Sequence, residues 1–182
     1  TSHLCCSIGV RIVDKDHFSR AISDVSRAVS LKTPFPILSG IKIVANNKGL
    51  ILIGSNSDIF IERVIPLTMD GMQALEVYEA GSVVISAKYL SEIVKKLPDK
   101  IQFKVDEKQL VTIQSDSIIT KLSGFSSGEY PSLPQFDEVN FVSISSSELI
   151  EIIKQTAFAA SKSESRPVLT GVHMSFKENH LS

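Results

Sequence analysis

Hydrophobic positions recur along the chain first at helical and then at alternating spacing. After a short apolar strand from Val10, residues Phe18, Ile22, Val25 and Val29 stand at i, i+4, i+7 and i+11, on one face of a helix that must pack on something. Asp14 and Asp16 lie where negative charge suits a helix N-terminus. Thr33-Pro34-Phe35-Pro36 stops the helix by removing donors and restricting the residue before each proline. Three strands are expected next. Residues 38–45 and 50–55 flank the turn Asn46-Asn47-Lys48-Gly49, and across 58–65 Ile59, Ile61 and Ile65 share one face against Phe60, Glu62 and Val64 on the other. Residues 67–80 read as a connecting loop with room for one short edge strand.

The same order then restarts. Gly81 to Ile85 reads as a strand and Ala87 to Leu97 as a helix, with Tyr89, Leu90, Ile93, Val94 and Leu97 forming its apolar stripe before Pro98-Asp99 ends it. Strands follow at 101–105, 109–114 and 117–123, so residues 10–124 form two β-α-β-β-β units of an α+β fold. Ser126 to Pro134, with Gly128 and two prolines, is the expected domain boundary. A longer repeat spans that boundary. A shift of 131 residues aligns Phe18 with Leu149, Ile22 with Ile153, Ala28 with Ala159, Ser30 with Ser161, Pro36 with Pro167, Leu38 with Leu169, Gly40 with Gly171 and Leu50 with Leu181, without a gap. Residues 142–181 are therefore expected to repeat 11–50 as strand, helix and hairpin.

Composition narrows the function classes. The chain has 182 residues, 43% hydrophobic and 21% charged, with 9 Gly, 7 Pro and no Trp, which excludes disorder, collagen and a small disulfide scaffold. Adjacent Cys5 and Cys6 suit neither a loop-closing disulfide nor a zinc site, and a reducing, cytoplasmic compartment is the simplest expectation. No apolar run reaches the ~18 residues of a membrane span, so a soluble protein with no membrane partner is expected. Residues 1–9 read as an upstream extension outside the fold.

Candidate chemistry is sparse. The sequence holds no G-x-G-x-x-G, Walker A, H-E-x-x-H, G-x-S-x-G or EF-hand pattern, and its four histidines, His3, His17, His173 and His180, are isolated. No catalytic residue, metal or cofactor is assigned. Charge is more informative: the net charge is only −1, yet residues 10–35 and 87–100, around the two helices, each sum to +2, while residues 56–80 sum to −4. Either the helices carry an ordinary solvated face, or that face meets a phosphate backbone. Arg20, Arg27, Lys88 and Lys95 are the candidates from charge and helix placement.

Several segments together resemble a known family. Thr33-Pro34-Phe35-Pro36-Ile37-Leu38-Ser39-Gly40-Ile41, Gly54-Ser55-Asn56-Ser57-Asp58, Gly124-Phe125 followed by Glu129-Tyr130-Pro131, and Arg166-Pro167-Val168-Leu169-Thr170-Gly171 are similar, in order and spacing, to bacterial DNA polymerase III beta subunits, the sliding clamps, and most of all to those of low-GC Gram-positive bacteria. The resemblance covers residues 9–182. It implies the DNA clamp fold, in which head-to-tail dimers of three-domain subunits line a central hole with helices and form the outer wall from sheets. Residues 10–130 would be the first domain and 131–182 the first part of the second, with a third domain and ring closure lying outside this chain. The partners implied are duplex DNA, bound non-specifically, the replicative polymerase and clamp loader through linear peptides, and a second subunit. By the same resemblance Lys32 sits at a DNA-contacting position, Arg166 at the corresponding corner of the second domain, and Lys162 and Ser163 in that loop. Leu169 matches one wall of the peptide pocket. Ile93 and Leu122 match dimer-interface positions, and Thr120 stands where many members carry Phe. Two other readings stay open: a metal-independent hydrolase, for which no nucleophile-base pair is visible, and a β-rich peptide-binding scaffold without a DNA role.

Overall fold

Alternation dictates the strands, and the computed structural model, which describes residues 7–30, 33–56, 58–132, 142–163, 165–177 and 180–181, shows how they are shared between two sheets. Strand β1 (Ile8–Ile12) leads into helix α1 (Lys15–Ser26), then β2 (Gly40–Asn46), β3 (Gly49–Ser55) and β4 (Phe60–Pro66). A two-residue ribbon, β5 (Thr68–Met69) and β6 (Met72–Gln73), precedes β7 (Leu75–Glu79). Then come β8 (Gly81–Ser86), helix α2 (Ala87–Lys96), β9 (Ile101–Val105), β10 (Leu110–Ser115) and β11 (Ile118–Ser123).

Each β-α-β-β-β unit gives its first strand to the other. One antiparallel sheet runs β11-β10-β9-β1-β7 and the other β4-β3-β2-β8, so β1 pairs with β9 of the second unit and β8 with β2 of the first. Neither half can complete its sheet alone. Phe18, Ile22 and Val25 of α1, Leu90 and Val94 of α2, Ile41 and Ile43 of β2, and Ile101 and Phe103 of β9 join one buried core. Helix α1 packs on β3, β4 and α2. The approach is closest at Gly54 of β3, where a Cβ would lie 2.1 Å from the Val25 carbonyl oxygen; only glycine admits the helix there.

Five expectations are revised. Residues 8 and 9, read as the end of an extension outside the fold, belong to β1, where Ile8 is buried in the core and pairs with Val105 of β9, because the alternation of Val10 and Ile12 continues back to it. Helix α1 ends at Ser26, so Val29 packs against the core from the segment after the helix and not from its face. Residues 38–39 are not strand: Pro36–Ser39 forms a 3-10 turn, with Pro at its start, and β2 begins at Gly40. The segment 67–80 is more ordered than a loop, because β7 is a full edge strand on β1. Ile59 precedes β4 and is exposed, as is Tyr89 on α2, so both leave the apolar faces assigned to them.

Contacts divide the chain into two compact units, Thr1–Pro134 and Gln135–Ser182. The second contains helix α3 (Ser146–Thr156), a 3-10 turn at Pro167–Thr170, and the hairpin β12 (Phe176–Lys177) and β13 (His180–Leu181). Each lies 131 residues after its counterpart, and the pairs Phe176↔Leu181 and Lys177↔His180 reproduce Ala45↔Leu50 and Asn46↔Gly49. The counterpart of β1 at the start of the repeat falls largely outside the described residues; residues 142–145, which were expected to open it as strand, have no regular structure. No residue of α3 is buried.

Candidate nucleic-acid interface

Helix α1 buries Phe18, Ala21, Ile22 and Val25, which leaves Asp16, Arg20, Ser23 and Arg27 along its solvent side at i, i+4, i+7 and i+11. Helix α2 buries Ala87, Leu90 and Val94 and exposes Lys88, Glu92, Lys95 and Lys96. The two helices contact each other, so Arg20, Arg27, Lys88 and Lys95 belong to the exposed side of one helical layer.

Four other charges near this layer, Asp14, Lys15, Asp24 and Arg63, have partners. Asp14 caps α1, its Oδ1 accepting from the His17 backbone N–H at 3.0 Å, and that bond, ahead of the His17 ring, holds its carboxyl below the usual carboxylate range. Lys15 Nζ donates to the Leu97 carbonyl at 2.5 Å, which ties the start of α1 to the end of α2 and takes this cation out of the layer. Asp24 is paired with Arg63 of β4, Nε to Oδ2 at 3.2 Å. Arg63 is the one cation among five carboxylates in residues 56–80, yet its partner lies on α1, outside that segment, so the sequence held no signal for this pair. On the strand side, Arg11 lies 3.8 Å from Glu76, whose carboxyl is lowered chiefly by the hydrogen bond it accepts from the Tyr78 hydroxyl.

Of the residues assigned by resemblance, Lys32 lies outside the described residues. Lys162, Ser163 and Arg166 are exposed in a loop closed where the Ser161 N–H donates to the Leu169 carbonyl at 2.8 Å. The 131-residue register aligns Ser163 with Lys32 and Arg166 with Phe35, so the cations of the two corners are not repeat mates. Leu169 is 52% exposed. Thr120 and Leu122 lie on one face of β11, the edge of its sheet, and both are half-buried. Ile93 and Leu122 pack against the main core from its rim.

Tyr130, one residue of the Glu129-Tyr130-Pro131 motif, holds the segment after β11 in place. Phe125 exchanges two backbone hydrogen bonds with Val84 of β8, at 2.8 and 3.0 Å, which covers that sheet edge. Tyr130 then packs with Leu38 and Val84, 5% exposed, its hydroxyl 3.4 Å from the Gly40 carbonyl and 3.3 Å from that of Ile53. Burial pushes its phenol up to about 12. Among the described residues no group of three His, Cys, Asp or Glu could hold a metal ion, and no helix is long and apolar enough to cross a membrane.

Two exchanged β-α-β-β-β units with both helices in one layer, followed by a second start of the same pattern, define a clamp-type α+β fold. Comparison with known proteins agrees. Residues 11–134 match the family model of the DNA polymerase III beta subunit N-terminal domain and residues 143–182 that of its central domain. The chain belongs to the DNA polymerase III beta subunit family. It is 44% identical over 172 residues to the beta sliding clamp of Halalkalibacterium halodurans, covering 94% of this chain and 45% of that one. The Bacillus subtilis beta sliding clamp is 41% identical over 170 residues, covering 93% and 45%. A crystal structure of the DNA polymerase sliding clamp from Bacillus subtilis superposes with a TM-score of 0.92 at 40% identity, over 96% of this chain and 46% of that one. The beta chain from Streptococcus pneumoniae gives 0.86 at 36%, over 92% and 44%. The chain thus spans a little under half the length of these relatives.

Proposed function

We propose that this chain is part of a sliding clamp, a non-catalytic processivity factor that surrounds duplex DNA and keeps a replicative polymerase on it. The observation that carries this reading is the helical layer, where Arg20, Arg27, Lys88 and Lys95 stand exposed in a chain of net charge −1. A ring that slides needs phosphate contacts without base readout, and a cationic layer on a nearly neutral protein meets that need. By resemblance Lys32, and in the second unit Lys162, Ser163 and Arg166, contact DNA as well.

Residues 10–130, together with Ile8 and Gly9 of β1, then form the first clamp domain and 131–182 the start of the second. Leu169 lines the pocket that takes linear peptides from the polymerase and clamp loader. Ile93, Thr120 and Leu122 form the first domain's side of the homodimer contact, and the protein works in the cytoplasm. The test uses a protein extended to the relatives' length and loaded on nicked circular DNA. Lys32→Ala with Arg166→Ala should shorten retention at raised salt equally on circles of unrelated sequence. Retention unchanged by these substitutions and by Arg20→Ala with Arg27→Ala would overturn the DNA reading in favour of a peptide-binding scaffold.

A further inference from the structure

Asp24 sits on α1 four residues after Arg20 and three before Arg27, the two spacings at which helical side chains meet and an aspartate pairs with an arginine. On its own helix Asp24 would have two guanidinium neighbours. Instead its Oδ2 lies 3.2 Å from Arg63 Nε of β4 in an ion pair, and among the described residues Arg20 and Arg27 make no ion pair. The Asp24 carboxylate is partly shielded, at 37% side-chain exposure, and α1 packs directly on β4.

We propose that Arg63 is a positioning residue for DNA binding: by holding Asp24 against β4 it keeps Arg20 and Arg27 free for phosphates. This rests on the DNA reading given above. Exposed ion pairs are weak whether within a helix or across to a strand, so Asp24 takes whichever partner is best placed. The Arg63 backbone is held by its pairing with Leu52 in the sheet beneath the helix, which sets its side chain beside Asp24, and it wins by position. Without it, Asp24 turns to Arg20 or Arg27 and withdraws that cation from the layer. The acidic strand segment thus supplies the one cation that keeps the helical face basic.

The test measures binding of the 182-residue chain to a short duplex of arbitrary sequence by fluorescence anisotropy across a salt series. Arg63→Gln should weaken binding about two- to fivefold at low salt and reduce the slope of log K against log salt by up to ~0.9, the value for one phosphate contact. Arg63→Gln combined with Asp24→Asn has the parent's net charge and no carboxylate to capture Arg20 or Arg27, so affinity and slope should both return. Failure of the double variant to recover would overturn the inference, because Arg63 would then touch DNA itself. An unchanged slope in Arg63→Gln would overturn it as well. Arg20→Ala with Arg27→Ala separates the two claims: if binding survives that change, the DNA reading of α1 fails and the inference falls with it. Circular dichroism melts accompany each variant, and Arg63→Met replaces Arg63→Gln if the latter melts early.

Discussion

Single residues carry costs that their neighbours make visible. Gln109 has a backbone φ of 61°, a conformation that suits glycine, and its side-chain oxygen is buried without a partner among the described residues. Gln109→Gly relieves about 1 kcal/mol of backbone strain and removes the orphan oxygen, against roughly 0.5–1 kcal/mol of added chain entropy. It should raise stability by about 1 kcal/mol in urea unfolding; a loss would show that the amide has a role. Tyr130 gives the opposite sign. With its folded pKa raised to about 12 by burial, the phenol stays protonated in the fold at pH values where the unfolded chain, near 10, has released it. The stability this contributes is fully present below pH 10 and is lost as the pH rises through 12. Tyr130→Phe should flatten that part of the stability profile, and Tyr130→Ala should cost about 3–5 kcal/mol at neutral pH. Equal alkaline slopes for the parent and Tyr130→Phe would place the titration elsewhere.

Elements show what a linear pattern can and cannot encode. Both helices of the first unit and most of its strands were legible, because Phe18, Ile22 and Val25, or Ile101, Phe103 and Val105, repeat at the period of the element they build. Edge strand β7 was legible only as room for one short edge strand without bounds, since Glu76, Tyr78 and Glu79 blur its alternation, as an outer strand permits. Exchange of β1 and β8 between sheets was hidden, because pairing is decided by tertiary contact. The exposed cations of α1 and α2 followed from helical period, whereas the pairing of Asp24 with Arg63 joins residues 39 apart in sequence and needed the fold. Close packing of helix on sheet is testable at Gly54. An alanine there meets the Val25 backbone, which cannot yield as a side chain can, and Gly54→Ala should cost about 3 kcal/mol in chemical denaturation. A near-neutral result would mean that α1 rides higher on β3 than described. The second unit has no such packing: an 11-residue helix with no buried residue is marginal by propensity alone. Hydrogen exchange should be fast across α3 in the 182-residue chain and slow across β2 and β9, and equal protection would indicate a cover over Ile150 and Ile153.

At the scale of the whole molecule, the proposed DNA role makes charge the quantity that sets how this chain would bind a duplex as a separate polypeptide. On the helical layer Arg20, Arg27, Lys88, Lys95 and Lys96 are partly offset by Asp16 and Glu92, all of them exposed. Lys15 is tied to Leu97, and Asp24 to Arg63. A face with so few free cations can neutralise only a few phosphates, and each contact contributes about −0.9 to the slope of log K against log salt. The slope for the 182-residue chain should therefore lie between roughly −3 and −5, with affinity near the ~10⁻⁴ M end of the non-specific range at physiological salt. Phosphate contacts hold no base information, so duplexes of unrelated sequence should bind alike. Lys88→Glu with Lys95→Glu reverses two charges on α2 and should abolish binding that remains measurable at low salt, with the melting temperature little changed because both side chains are exposed. Weak intrinsic affinity is what a sliding ring requires, since tight contacts would stall it and encirclement alone can supply retention. Sub-micromolar binding by this chain, or a preference for one sequence, would therefore count against a clamp that holds DNA by topology.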